Sequence, residues 1–211
     1  MIEESFPNGG KTMLDFVRIA CAVPPVKVGD VKKNTQDICD YIAKADAQKA
    51  DLVIFPELAL TGYTCADLFF QEALLQASLA GLQEIAAFSA AYPRITAVVG
   101  LPALIAGQMY NCGAVVSQGK VLGLVPKTFL PNYNEFNESR WFSSARDLQK
   151  SEVSATELGL GGDYTIPVGA DLLFRIGDGT LVGVEICEDL WTMLPPSTLM
   201  SLAGAEVVLN L

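Results

Sequence analysis

Apolar residues come in short blocks along this chain, separated by stretches with helical spacing. A block over residues 16–23, stopped by Pro24 and Pro25, predicts a buried strand. Val31, Thr35, Ile38, Ile42 and Ala45 then recur every three or four positions, which predicts an amphipathic helix over about 30–49 with one face on a sheet. Residues 51–55 read as a core strand. Helical spacing returns over about 67–91, with Asp67 as candidate N-cap and Leu75, Leu79, Leu82, Ile85 and Phe88 on one face. Pro93 ends it, and residues 95–101 form the next strand. Residues 114–117 and 121–125 flank Gln118 and Gly119 as a hairpin, and residues 172–176 and 180–186 form another around Gly177, Asp178 and Gly179. A short helix at 197–203 feeds a strand at 206–211. Strands that first alternate with helices and later pair locally predict an α/β fold with a mixed sheet. From Lys127 to Asp171 neither period holds, and connections this long are usually functional.

Composition narrows the class. With 211 residues, 51% of them hydrophobic, the chain suits one domain with a continuous core. Twenty-four acidic against 14 basic residues give a net charge of −10, which excludes a phosphate-neutralising surface and so speaks against nucleic acid. Five cysteines with no C-x-x-C pair fit neither a disulfide framework nor a zinc ribbon, and zero histidines removes the commonest metal ligand. No metal site is expected. No apolar run is long enough to span a membrane, and no signal peptide opens the chain, so the expectation is a cytoplasmic protein with free thiols. Glu3, Glu4, Pro7, Gly9 and Gly10 make residues 1–12 a flexible leader to a domain over 13–211. That domain stops on Leu211 without a turn or polar tail and reads as cut short.

Three polar residues stand immediately after apolar strands: Glu57, Lys127 and Cys187. Strand ends meeting at one rim are where α/β folds build sites. Taken singly, each has a plainer use: a glutamate as a helix cap, a lysine as surface charge, a cysteine as a small core hydrophobe. Together they supply every role that amide hydrolysis needs without imidazole. Glu57 would act as base, Cys187 as the nucleophile that forms a thioester, and Lys127 as the cation that steadies the oxyanion beside a backbone N–H. The lysine would also favour an ionised carboxylate or thiolate. Cys21, Cys39 and Cys112 fit structural roles, and Cys65 falls in a turn. The glycines at 159, 161 and 162 lack a following Lys-Ser/Thr, so they are no phosphate loop.

These residues resemble the nitrilase, or carbon-nitrogen hydrolase, superfamily, in which glutamate, lysine and cysteine occur in this order. The resemblance is closest to the branch whose glutaminase domain feeds an NAD⁺ synthetase. It is carried by Phe55-Pro56-Glu57-Leu58 with residues 61–69, by residues 126–131, by residues 133–142, and by residues 184–191 with Pro195-Pro196-Ser197. It implies a four-layer α-β-β-α sandwich, incomplete here at the C-terminus, with Glu57, Lys127 and Cys187 as catalytic residues. It also implies substrate-binding roles for Tyr63, Tyr133, Glu188 and a second glutamate, Glu135. L-glutamine is the implied substrate, with no cofactor for the glutaminase part. ATP, Mg and deamido-NAD⁺ would belong to a C-terminal synthetase domain that this sequence lacks. Apolar edges left by missing strands would favour a homo-oligomer. Two alternatives stay open at the level of sequence: a stand-alone amidase or carbamoyl hydrolase acting on another small amide, and an inactive scaffold.

Overall fold

In the larger sheet, five strands lie in the order β1 (Ile19–Cys21), β2 (Leu52–Ile54), β3 (Thr96–Ile105), β4 (Gln108–Ser117) and β5 (Lys120–Pro126). The computed structural model describes residues 16–177 and 179–211, so the leader 1–12 and Asp178 of the predicted turn lie outside it. β1 to β3 run parallel, whereas β3, β4 and β5 are antiparallel neighbours, giving the mixed sheet that the pattern predicts. Between β5 and the second sheet, β6 (Glu152–Ser154) and β7 (Thr165–Pro167) pair as a small ribbon. The second sheet has the order β10-β9-β8, built from β8 (Leu173–Ile176), β9 (Thr180–Glu185) and β10 (Val207–Asn210).

Strand alternation sorts the core into two faces. Val53, Phe55, Ala97, Val99, Ala114 and Val116 pack with Ile38 and Ile42 of α1 (Val31–Ala47) and with Leu82 and Ile85 of α2 (Glu72–Ser89). Leu52, Ile54, Val98 and Val115 point the other way, onto Phe174, Ile176, Val182, Val184 and Leu209 of the smaller sheet. On that sheet's far side lies α3 (Pro196–Leu202), where a Cβ added to Gly183 would sit 2.4 Å from Met200 Sδ. The layers are therefore helix, sheet, sheet, helix. Each buried Val, Leu or Phe contributes about 1.5–3 kcal/mol, against about 0–1 kcal/mol for an exposed ion pair such as Arg94–Asp46. The two apolar faces hold the layers together.

Several elements differ from the sequence expectation. The strand at 16–23 is no buried strand: only Ile19–Cys21 pairs, at the sheet edge, and Phe16 and Val23 are exposed. With one neighbour instead of two, its apolar residues are only half covered. The helix expected over 67–91 is two elements, a 3-10 segment at Tyr63–Phe70 and then α2. Asp67 does not cap it, because Gln71 takes the N-cap position in extended conformation and Asp67 instead accepts from Arg140 and Trp141. The most buried face of α2 includes Leu74, Ser78, Gly81, Leu82, Ile85 and Ser89, rotated from the predicted row. Small residues there let α1 approach, since a Cβ at Gly81 would stand 2.6 Å from Thr35 Oγ1. The β3–β4 hairpin had no strong sequence signal; it turns through Ala106 and Gly107, both at positive φ, the requirement of a type I′ turn.

Candidate active site

Glu57, Lys127 and Cys187 stand just past β2, β5 and β9, so the site forms where the ends of both sheets meet. The Glu57 turn lies flat across β3. A Cβ at Gly100 would fall 2.4 Å from Leu58 N and 2.5 Å from Pro56 O, so only glycine permits that crossing. Lys127 leaves β5 under the control of β4, its N–H donating to the Asn111 carbonyl at 2.8 Å. Cys187 opens the 3-10 turn Cys187–Trp191 that follows β9, with φ 46°, a left-handed conformation that is costly for a residue with a Cβ. Its N–H donates to Leu211 O at 2.9 Å. Asp189 braces that bend: its carboxylate, 2% exposed, accepts from the N–H groups of Thr128 (3.0 Å), Phe129 (2.7 Å) and Ile186 (3.1 Å). The turn that carries the cysteine is thereby tied to the segment that carries the lysine.

Lys127 is the centre of the charge cluster. Its side chain is fully buried, and Nζ donates to Glu57 Oε1 at 2.7 Å and to Glu138 Oε1 at 2.8 Å. Asn111 Nδ2 donates to the same Glu57 oxygen at 2.6 Å, and Tyr63 OH donates to Glu138 Oε1 at 2.8 Å. Burial alone would pull the ammonium toward neutrality, but the two carboxylates outweigh it and hold its pKa above the usual lysine range. Burial, then the charge of Glu57, push the Glu138 carboxyl upward, against the pull of Lys127 and Tyr63. Burial also leads the rise at Cys187, with Glu57 adding to it and Lys127 opposing, and the thiol is pushed up to about 11. The lysine does favour the thiolate, as expected, but it loses to burial and the two glutamates. The resting thiol is neutral at pH 7 and has to surrender a proton to react.

The remaining residues named from sequence divide. Tyr63 and Tyr133 flank Phe136, with ring centroids at 6.4 and 5.7 Å, and Tyr133 OH donates to Glu188 Oε2 at 2.9 Å. Glu188 follows the cysteine directly. Glu135 is exposed, and the second glutamate on the lysine is Glu138, three positions further on. Glu138, Asn111 and Asp189 were missed by the sequence reading. Asn111 left a signal, as a polar residue inside the apolar strand of 109–116; Glu138 left none, lying in the stretch without period. Among the described residues, no group of three or more Cys, Asp or Glu side chains could hold a metal ion. None of the described helices is long and apolar enough to cross a membrane.

Comparison with known proteins bears on the family and the fold. The carbon-nitrogen hydrolase family profile matches residues 18–211. Glutamine-dependent NAD(+) synthetase from Mycobacterium tuberculosis is 37% identical over 198 residues, covering 93% of this chain and 28% of that protein. The protein of the same name from Xylella fastidiosa is also 37% identical, with 93% and 32% covered. The chain thus spans under a third of the length of these relatives. Among solved structures, the glutamine-dependent NAD(+) synthetase of Cytophaga hutchinsonii superposes with TM-score 0.74 at 33% identity, over 92% of this chain and 30% of that one. An amidase from Nesterenkonia sp. superposes at 0.68 with 21% identity, over 92% of this chain and 64% of that one, which speaks for the fold alone. Fold and sequence agree, and the chain belongs to the carbon-nitrogen hydrolase family.

Proposed function

We propose that this domain hydrolyses the side-chain amide of L-glutamine through a thioester on Cys187. The observation that carries the reading is the buried Lys127 bridging Glu57 and Glu138 at 2.7 and 2.8 Å beside a neutral, partly buried thiol at the strained end of β9. Glu57 takes the thiol proton as Sγ attacks the amide carbon. The amide oxygen becomes an oxyanion, held by Lys127 and a backbone N–H past Cys187. Glu57 returns the proton to the nitrogen, the C–N bond breaks, and ammonia leaves. Water then gives a proton to Glu57 and adds to the thioester; glutamate departs and the sulfur is reprotonated. A proton that makes this round trip needs a base already beside a protonated thiol, which suits the raised Cys187 and the carboxylate held next to it.

Glu188 and Tyr133 lie beside the nucleophile with a carboxylate and a phenol suited to an amino-acid ammonium group, and Tyr63 and Phe136 form an aromatic wall. That arrangement favours an amino-acid amide over a bare aliphatic one. The identities to synthetases support a role in which the ammonia feeds a synthetase domain, where ATP, Mg²⁺ and deamido-NAD⁺ would act. Ammonia release measured across glutamine, asparagine, acetamide and a carbamoyl amino acid, with Cys187→Ala as control, tests the assignment. Preference for glutamine is expected. Release from acetamide at an equal or higher rate would point to a general amidase, and no release from any of them to an inert scaffold.

A further inference from the structure

We infer that Asn111 is a positioning residue for the base: it holds the Glu57 carboxylate in one orientation and so decides which of its oxygens receives the Cys187 proton. The argument rests on the proposed role of Glu57, and its geometry is independent of the substrate. Asn111 lies on β4 opposite Pro102 and is fully buried. Its backbone carbonyl accepts from Lys127 N at 2.8 Å, while its side-chain Nδ2 donates to Glu57 Oε1 at 2.6 Å. One residue thus fixes the lysine's backbone and the glutamate's head group together. The amide orientation is settled by chemistry, because a carboxylate only accepts.

Lys127 Nζ donates to that same Oε1. A carboxylate oxygen has two lone-pair directions in its plane, and both on Oε1 are taken by these two donors. Oε2 is then the oxygen left for the thiol. A single donor would let the carboxylate plane swing about its last bond; two donors on one oxygen fix that plane and so aim the other oxygen. Asn111 Oδ1 is buried with no hydrogen-bond partner among the described residues. An unmet buried acceptor disfavours an amide at a fully buried strand position, so the residue is not explained by packing alone. Other charged or titratable groups facing Glu57 are Lys127, Glu138, Tyr63 and Cys187. Asn111 is the donor to Glu57 that neither carries a charge nor titrates, and losing a hydrogen-bond donor disfavours the charged form of any carboxylate.

The test follows iodoacetamide labelling of the Cys187 peptide by mass spectrometry between pH 4 and 9, with glutamine absent, alongside the thermal midpoint. In Asn111→Leu the pH at which labelling sets in should rise by about one unit, with labelling about tenfold slower on the acid side. Asn111→Asp, nearly the same shape, serves if the leucine variant fails to fold, and should shift the onset further because it places a like charge against Glu57. An unmoved onset in a variant that keeps its thermal midpoint would reduce Asn111 to a structural residue and overturn the inference. Because no amide is present, these results stand apart from the proposed substrate. A wild type that labels as expected yet releases no ammonia from glutamine would count against the glutaminase reading alone.

Discussion

At the scale of single residues, the site is governed by what burial does to charge. Lys127 is fully buried between two carboxylates, so removing its ammonium leaves like charges buried side by side. Breaking a buried ion pair from one side costs about 3–5 kcal/mol. Lys127→Met is therefore expected to lose stability of that order in urea denaturation, together with any ammonia release. A loss below about 1 kcal/mol would mean the cluster is wetter than the packing implies. The thiols give a pH signature. Burial leads the rise to about 11 at Cys187 and to about 12 at Cys39, from an ordinary 9.0. Raised folded values mean that the folded chain keeps protons which the unfolded chain sheds. This contribution to stability is fully present below pH 9.0 and is lost as pH rises through about 11 to 12. The urea midpoint should fall over that window, and less steeply in Cys39→Ala. A midpoint that falls equally in both proteins would assign the effect to other groups.

At the scale of elements, turns and braces aim these residues. Asp189→Ala would leave the N–H groups of Thr128, Phe129 and Ile186 without their shared acceptor. Each buried group left unpaired costs about 1–3 kcal/mol. Hydrogen exchange should accelerate at residues 128, 129 and 186 while α1 keeps its protection; uniform acceleration across the chain would deny Asp189 a local role. Gly100→Ala tests the Glu57 turn, because the new Cβ would meet Leu58 N at 2.4 Å and lift Glu57. A displacement near 1 Å costs roughly 100-fold in rate. An alanine variant with wild-type turnover would show that the turn relaxes freely.

The elements also show what was legible. Strands ending near Glu57, Lys127 and Cys187 could be read because short apolar runs stop sharply before a polar residue, and α1 because its apolar spacing holds over four turns. The break at Gln71 could not, because Phe69 and Phe70 extend the apolar pattern while Phe69 packs on Trp141 and Phe142, over 70 positions away. Glu138 was invisible for the same reason. Nothing local marks it, and its importance comes from Lys127 and Tyr63 reaching it from other parts of the chain. Glu135, given a substrate-binding role by the resemblance, is exposed and separate from the lysine cluster.

At the scale of the molecule, two sheets built from successive stretches of the sequence bring their ends together, so the site exists only when the layers pack. β9 leads into Cys187, and the larger sheet carries Glu57 and Lys127 at its strand ends. The central claim is that glutamine becomes a γ-glutamyl thioester on Cys187. It is tested most directly by mixing the protein with glutamine, quenching in acid within a turnover, and locating any adduct by peptide mass spectrometry. The account predicts a γ-glutamyl group on the Cys187 peptide, absent from Cys187→Ala and accumulating in Glu57→Gln only slowly. An unmodified Cys187 in a protein that still releases ammonia, or an adduct on another cysteine, would contradict it.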